Sequence, residues 1–189
     1  MIHGVAAWYL GVILLIALER LAELIVARRN AAWSLSRGAV ERGQGHYPVM
    51  VALHSGLLLG CVIEAGARPE PPLALAVPGL ALAIACQGVR WWVIRTLGPR
   101  WNTRILILPG LPRVSIGPFR WFSHPNYAAV ITEGAALPGM YGCWVTALTF
   151  SVLNAALLGV RIRAENAALA EMERPDAAAR GPAPLGPTG

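Results

Sequence analysis

Lysine is missing from this sequence, and all 16 basic residues are arginine. Charge of either sign is scarce. Only 14% of residues are Asp, Glu, Lys or Arg, against about 25% in a typical soluble domain, and the mean hydropathy is +0.52. Too little polar surface remains to wet a soluble globule, so the composition points to a membrane protein. Cysteine is also sparse. Cys61, Cys86 and Cys143 each sit inside an apolar run, with no CxxC pair and no histidine spacing for zinc. They read as small buried hydrophobes, not as a disulfide or a metal site. No basic segment precedes the first apolar run, which is too long for the core of a signal peptide, so no cleavable signal is expected. The final Gly-Pro-Thr-Gly carries no prenylation box.

What the sequence does have is a series of apolar runs with arginines at their ends. The net charge of +6 and a pI near 10.0 invite a nucleic-acid reading. The arginines, however, flank apolar spans, where they set topology, so no nucleic-acid partner is expected. A first span is predicted from about Val5 to Ala27, long enough to cross ~30 Å of hydrocarbon. Glu19, Arg20 and Glu23 lie in its last two turns, with a local ion pair available to Arg20 and Glu23. A polar segment follows from Arg28 to Gln44. A second span runs from about Tyr47 to Ala67, and a third from about Leu73 to Ile94. Six arginines between Arg90 and Arg120, with no carboxylate among them, mark that stretch as cytoplasmic and the N-terminus as outside. Two further apolar runs, Asn126–Leu137 and Cys143–Val160, read as a helical hairpin turning at Pro138-Gly139. The expected fold is an all-α polytopic membrane protein with about five transmembrane helices. A membrane domain is expected over residues 1–174, its catalytic part over about 90–170, and a disordered Ala/Pro/Gly-rich tail over 175–189.

Polar chemistry is concentrated in a few places. Gly117-Pro118-Phe119-Arg120-Trp121-Phe122-Ser123-His124-Pro125-Asn126-Tyr127 gathers a cation, an imidazole, an amide and a phenol just ahead of an apolar helix. Pro125 suits a helix start, and a helix N-terminus favours anionic or ribose oxygens. The same residues also suit a plain headgroup anchor. A second cluster, Arg161-Ile162-Arg163-Ala164-Glu165-Asn166, puts Arg161 and Glu165 four residues apart on one helix face, where they serve either a site or a solvated helix end. Glu133 lies inside an apolar run, and an intramembrane carboxylate calls for a partner or a cavity. Glu64 sits near an outer end, where snorkelling accounts for it. His46 and His54 share a face of the second span without a third ligand, so no metal site is expected and His54 reads as a hydrogen-bonded core or pocket residue.

The segment 117–127 closely resembles the GPYRxxRHPxY signature of the isoprenylcysteine carboxyl methyltransferase family. Arg161 to Glu165 resembles that family's R-x-x-x-E-E segment, with Asn166 in place of the second Glu and Ser123 in place of the Arg before the His. Glu19-Arg20-Leu21-Ala22-Glu23-Leu24, Arg29-Asn30 and His46-Tyr47-Pro48-Val49-Met50 resemble a bacterial branch linked to alkylpyrones and long-chain phenolic lipids. The resemblance implies S-adenosylmethionine as cofactor, lined by His124, Pro125, Asn126 and Tyr127 and held by Arg161, Arg163 and Glu165. His124 or Glu133 would act as base, Arg120 would orient an anionic acceptor, and Glu23, His46 and His54 would wall the acceptor's approach. The implied activity is O-methylation of a lipophilic, bilayer-dissolved small molecule at the cytosolic face of the inner membrane. A membrane NADPH-dependent reductase and a non-catalytic scaffold subunit are the other readings.

Overall fold

A computed structural model describes residues 5–172, apart from Gln44 and Gly110 and the side chains of His46, Glu171 and Met172. The expected tail, 175–189, lies outside the described residues. Five α-helices make up most of the chain: α1 (Ala7–Leu35), α2 (His46–Gly66), α3 (Leu73–Leu97), α4 (Pro125–Gly139) and α5 (Trp144–Met172). The all-α membrane class stands. Three helices, α2, α3 and α5, are long and apolar enough to cross a bilayer. The other two differ for separate reasons. The 29 residues of α1 suffice in length, but Glu19, Arg20, Glu23, Arg28 and Arg29 interrupt its apolar character. The 15 residues of α4 reach about 22 Å, short of the ~30 Å hydrocarbon core.

The first helix runs about two turns beyond its expected end at Ala27, through Arg28 and Arg29 to Leu35. The cause is tertiary. Ala27, Ala31 and Ser34 recur at helical spacing and are buried, and Asn30 donates its amide to the carbonyls of Gly98 (3.2 Å) and Trp101 (2.8 Å). A small antiparallel pair then forms between β1 (Val40–Arg42) and β2 (Ile105–Ile107), with Glu41 opposite Leu106. Arg104 reaches across it to Glu41 at 2.9 Å. Apolar periodicity does not announce strands of three residues.

The expected hairpin of α4 and α5 forms, but Pro138 and Gly139 close α4 and the turn follows them at residues 140–143, before α5 starts at Trp144. Glu64 is more than a snorkelling side chain: its carboxylate accepts from the backbone amides of Val145 (3.2 Å) and Thr146 (2.8 Å). It thereby satisfies two open donors of the first turn of α5. Tyr9 stacks on Tyr141 with centroids 4.5 Å apart and donates its hydroxyl to the Leu137 carbonyl at 2.9 Å. This ties α1 to the hairpin. Exposed Leu14, Leu15, Ile63, Ile84 and Leu148 cover the outer surface, as a lipid-facing wall requires.

Two close helix contacts depend on missing side chains, one between α3 and the end of α4 and one between α4 and α5. A Cβ on Gly79 would collide with Met140, whose Cα would lie 2.8 Å away, and one on Gly134 would enter the Phe150 ring. Gly79→Ala is expected to cost about 1–3 kcal/mol by overpacking, measured as a lower Tm in detergent. An unchanged Tm would mean that the α3–α4 contact is looser than described.

Candidate functional site

Where α3 ends, Gly98 breaks the helix at φ 54°, and the chain folds back through residues 98–123. Gly117, at φ 59°, leaves its Cβ position against the Thr96 hydroxyl, 2.6 Å away. A side-chained residue there would push the 117–120 turn off α3. That turn delivers His124 to the start of α4. Pro125 follows as the first helical residue, where its missing N–H costs nothing, and the His124 carbonyl accepts from Tyr127 N at 3.1 Å.

The segments 117–127 and 161–166 lie against each other. Residues 161–166 are not a tail beyond the last helix but part of α5 itself. Helical phase therefore sends Arg161 and Glu165 to one side. The Tyr127 hydroxyl donates to Glu165 Oε2 at 2.6 Å. His124 Nε2 lies 3.2 Å from Asn166 Oδ1, and its Nδ1 is 3.9 Å from Glu165. The His124 and Tyr127 rings stack 5.3 Å apart. The Tyr127 phenol sits in the first turn of α4, outside the three membrane-length helices. Burial and then the Glu165 charge push it up to about 12, so it stays a donor at neutral pH.

Arg161 is 6% exposed. Its guanidinium lies 5.9 Å from the Tyr127 ring centre, bonds the Thr103 carbonyl at 3.0 Å and touches the Met50 sulfur at 3.4 Å. Its Nε has no partner, and neither does Asn126 Oδ1. A buried guanidinium without a carboxylate among the described residues is a place prepared for an anion.

These groups form one pole of a cavity of about 550 Å³. From that pole the walls become apolar, with Leu58 from α2, Val130 from α4 and Leu157 and Leu158 from α5. At the far pole stand Arg20 and Glu23 from α1, His54 from α2 and Arg90 from α3. Behind it lies a buried ionic network that sequence reading saw only in part. Arg90 clamps Glu23 with both nitrogens, Nε to Oε1 at 2.9 Å and Nη2 to Oε2. Arg20 meets Glu23 at 3.1 Å, the Gln87 carbonyl at 2.7 Å and Glu133 at 3.8 Å. Trp91 donates to Glu19 at 2.8 Å. The available signal was the set of charges inside apolar runs, each of which demands a partner. Their pairing across three helices was not visible.

Of the residues singled out from sequence, His124, Pro125, Asn126, Tyr127, Arg161, Glu165, Glu23 and His54 line the cavity. Three do not. Arg120 is exposed and lies 5.8 Å from the Trp121 ring. Arg163 is exposed and turned back onto the Gly159 carbonyl at 2.9 Å, because two residues along a helix from Arg161 is nearly the opposite face. Glu133 is buried behind the wall, held by Arg20 and by Gln87 at 3.3 Å. His46 opens α2, and its side chain lies outside the described residues.

The helices and the two-poled cavity define a polytopic membrane protein with an internal chamber polar at both ends and apolar between. Residues 79–171 match the isoprenylcysteine carboxyl methyltransferase family. That match supports a membrane methyltransferase as the general class, and methyltransferases of this family generally use S-adenosylmethionine. The chain is 41% identical over 164 residues to the uncharacterized protein YpbQ of Bacillus subtilis (strain 168), covering 87% of this chain and 96% of that protein. It is 25% identical over 154 residues to an uncharacterized protein of Haemophilus influenzae, covering 81% and 90% respectively.

Proposed function

We propose that the chain is an S-adenosylmethionine-dependent O-methyltransferase acting on a lipophilic acceptor at the cytosolic face of the membrane. The observation that carries this reading is the single cavity joining a charged pole at residues 124–127 and 161–165 to apolar walls. The residues fit the cofactor. Arg161, with an unpartnered Nε, suits the carboxylate. Glu165 suits a ribose hydroxyl or the ammonium group, and the stacked pair His124–Tyr127 offers a flat face. Asn126 Oδ1, buried and unpartnered, offers an acceptor. A cavity of about 550 Å³ falls within the usual range for sites of this kind. The bound cofactor supplies a methyl group on a positively charged sulfur, and no metal is needed for its transfer.

The protein's own part is to hold donor and acceptor in line and to keep water out. The arginine-bearing ends of α1, α3 and α5 gather at the charged pole, and the positive-inside rule assigns that end to the cytosol, from which the cofactor arrives. The acceptor, a carboxylate, enol or phenol with a long tail such as an alkylpyrone or phenolic lipid, arrives from the bilayer. Its apolar tail suits the walls between α2 and α5.

The test is transfer of labelled methyl from S-adenosylmethionine to such acceptors by the full chain in detergent. Each methylene removed from the tail should raise KM about fourfold, the equivalent of about 0.8 kcal/mol per CH₂. A KM independent of tail length would contradict a bilayer-dissolved acceptor, and binding of NADPH without S-adenosylmethionine would favour a reductase.

A further inference from the structure

We infer that His54 is the base that removes the acceptor's hydroxyl proton, an assignment that rests on the methyltransferase reading above. The ring geometry fixes its protonation. Nδ1 lies 2.9 Å from the Met50 carbonyl oxygen. A carbonyl only accepts, so the proton resides on Nδ1 and Nε2 carries the lone pair. Nε2 has no protein partner among the described residues, and it is not among the buried atoms left unsatisfied. His54 lines the cavity, so Nε2 opens onto that space. The ring is held edge-on against Phe150, with centroids 5.4 Å apart.

Its place on the cavity wall suits the task. Met50, one helical turn away, carries both the carbonyl that bonds His54 and the sulfur that touches Arg161. Met50 thus links the proposed base to the residue that suits the cofactor carboxylate. The alternatives are worse placed. His124 has both nitrogens near Asn166 and Glu165 at the cofactor pole. Glu133 lies behind the wall, held by Arg20 and Gln87.

The charged groups that face His54 come from several helices. Glu23 and Arg20 of α1, Arg90 of α3 and Glu133 of α4 flank His54, with Arg161 of α5 beyond Met50. The network at this pole holds three carboxylates, Glu19, Glu23 and Glu133, against two guanidiniums, Arg20 and Arg90. With Arg161 beyond Met50 the flanking charges balance, three of each sign, so the open Nε2 and not the local charge carries the assignment. In the step itself the acceptor O–H bond breaks and its proton moves to Nε2. The oxygen forms its bond to the methyl carbon as the carbon–sulfur bond breaks, and that electron pair stays on the sulfur, which becomes a neutral thioether. The imidazolium gives its proton to water when product leaves.

The experiment uses a nitrophenol carrying a long alkyl tail, whose ionised form is coloured, bound to the full chain in detergent without cofactor. The wild-type protein should shift the bound phenol toward the phenolate by about tenfold or more, and His54→Gln and His54→Asn should abolish the shift while tail binding persists. Methyl transfer to an ordinary tailed phenol should then fall about 100- to 10,000-fold. Transfer to the nitrophenol, already ionised in the assay, should fall far less. Equal phenolate in wild type and variants, or equal loss on both acceptors, overturns the assignment. A wild-type chain that ionises the phenol yet transfers no methyl group overturns the methyltransferase reading and leaves the base.

Discussion

Glu165→Gln should weaken S-adenosylmethionine binding about 10- to 100-fold, measured by calorimetry on the full chain in detergent. The size follows from losing hydrogen bonds to a charged group, about 1.5–3 kcal/mol. Glu165 has one oxygen engaged by the Tyr127 hydroxyl and the other without a partner among the described residues, on a side chain 30% exposed. That free oxygen is the one offered to the cofactor. Tyr127→Phe removes only the group that orients the carboxylate and should cost less. Arg163→Gln serves as the control. Its side chain faces away from the cavity and bonds its own helix, so affinity should not change. An Arg163 variant as damaging as the Glu165 variant would mean that general positive charge, not this pole, holds the ligand.

Glu23→Leu should destabilise the protein more than any surface change, by about 3–5 kcal/mol, because it strands a buried guanidinium. Glu23 is 2% exposed and Arg90 6% exposed, and the clamp between them joins α1 to α3. The same pair explains why α1 can sit in a membrane protein despite its charges. Glu19, Glu23 and Arg20 turn inward to Trp91, Arg90, Gln87 and Glu133, leaving leucines outward. Adding Arg90→Met to Glu23→Leu removes both charges and should recover much of the loss, a coupling read as a non-additive change in Tm. A double variant whose loss equals the sum of the two single losses would show that the clamp is not a unit.

The candidate site was legible in the sequence where its information is local. The spacing of Arg161 and Glu165 gives a shared helix face, and Pro125 after His124 gives a helix start. The two apolar runs on either side of Pro138-Gly139 give the hairpin that returns α5 toward α4, with the turn itself falling just after them. Arg163 stands off the cavity because a motif names residues without their phase, and the helix carries it round to the far side. Arg120 stands off it because the 117–120 turn sends it outward while placing Pro118 inward. Glu133 was correctly marked as needing partners, but those partners, Arg20 and Gln87, lie far away in sequence on two other helices. The β1–β2 pair and the extension of α1 past Arg28 have the same origin: both depend on contacts with residues 98–107, and no window along the chain contains both sides.

The account rests on one small molecule touching α4 and α5 together at the charged pole. Ultraviolet irradiation of the full chain with S-adenosylmethionine carrying a radiolabel, followed by peptide mapping, tests this directly. The label should fall within residues 123–130 and 161–169 and be displaced by excess unlabelled cofactor. Label on other peptides alone, or none that unlabelled cofactor displaces from folded protein, would contradict it.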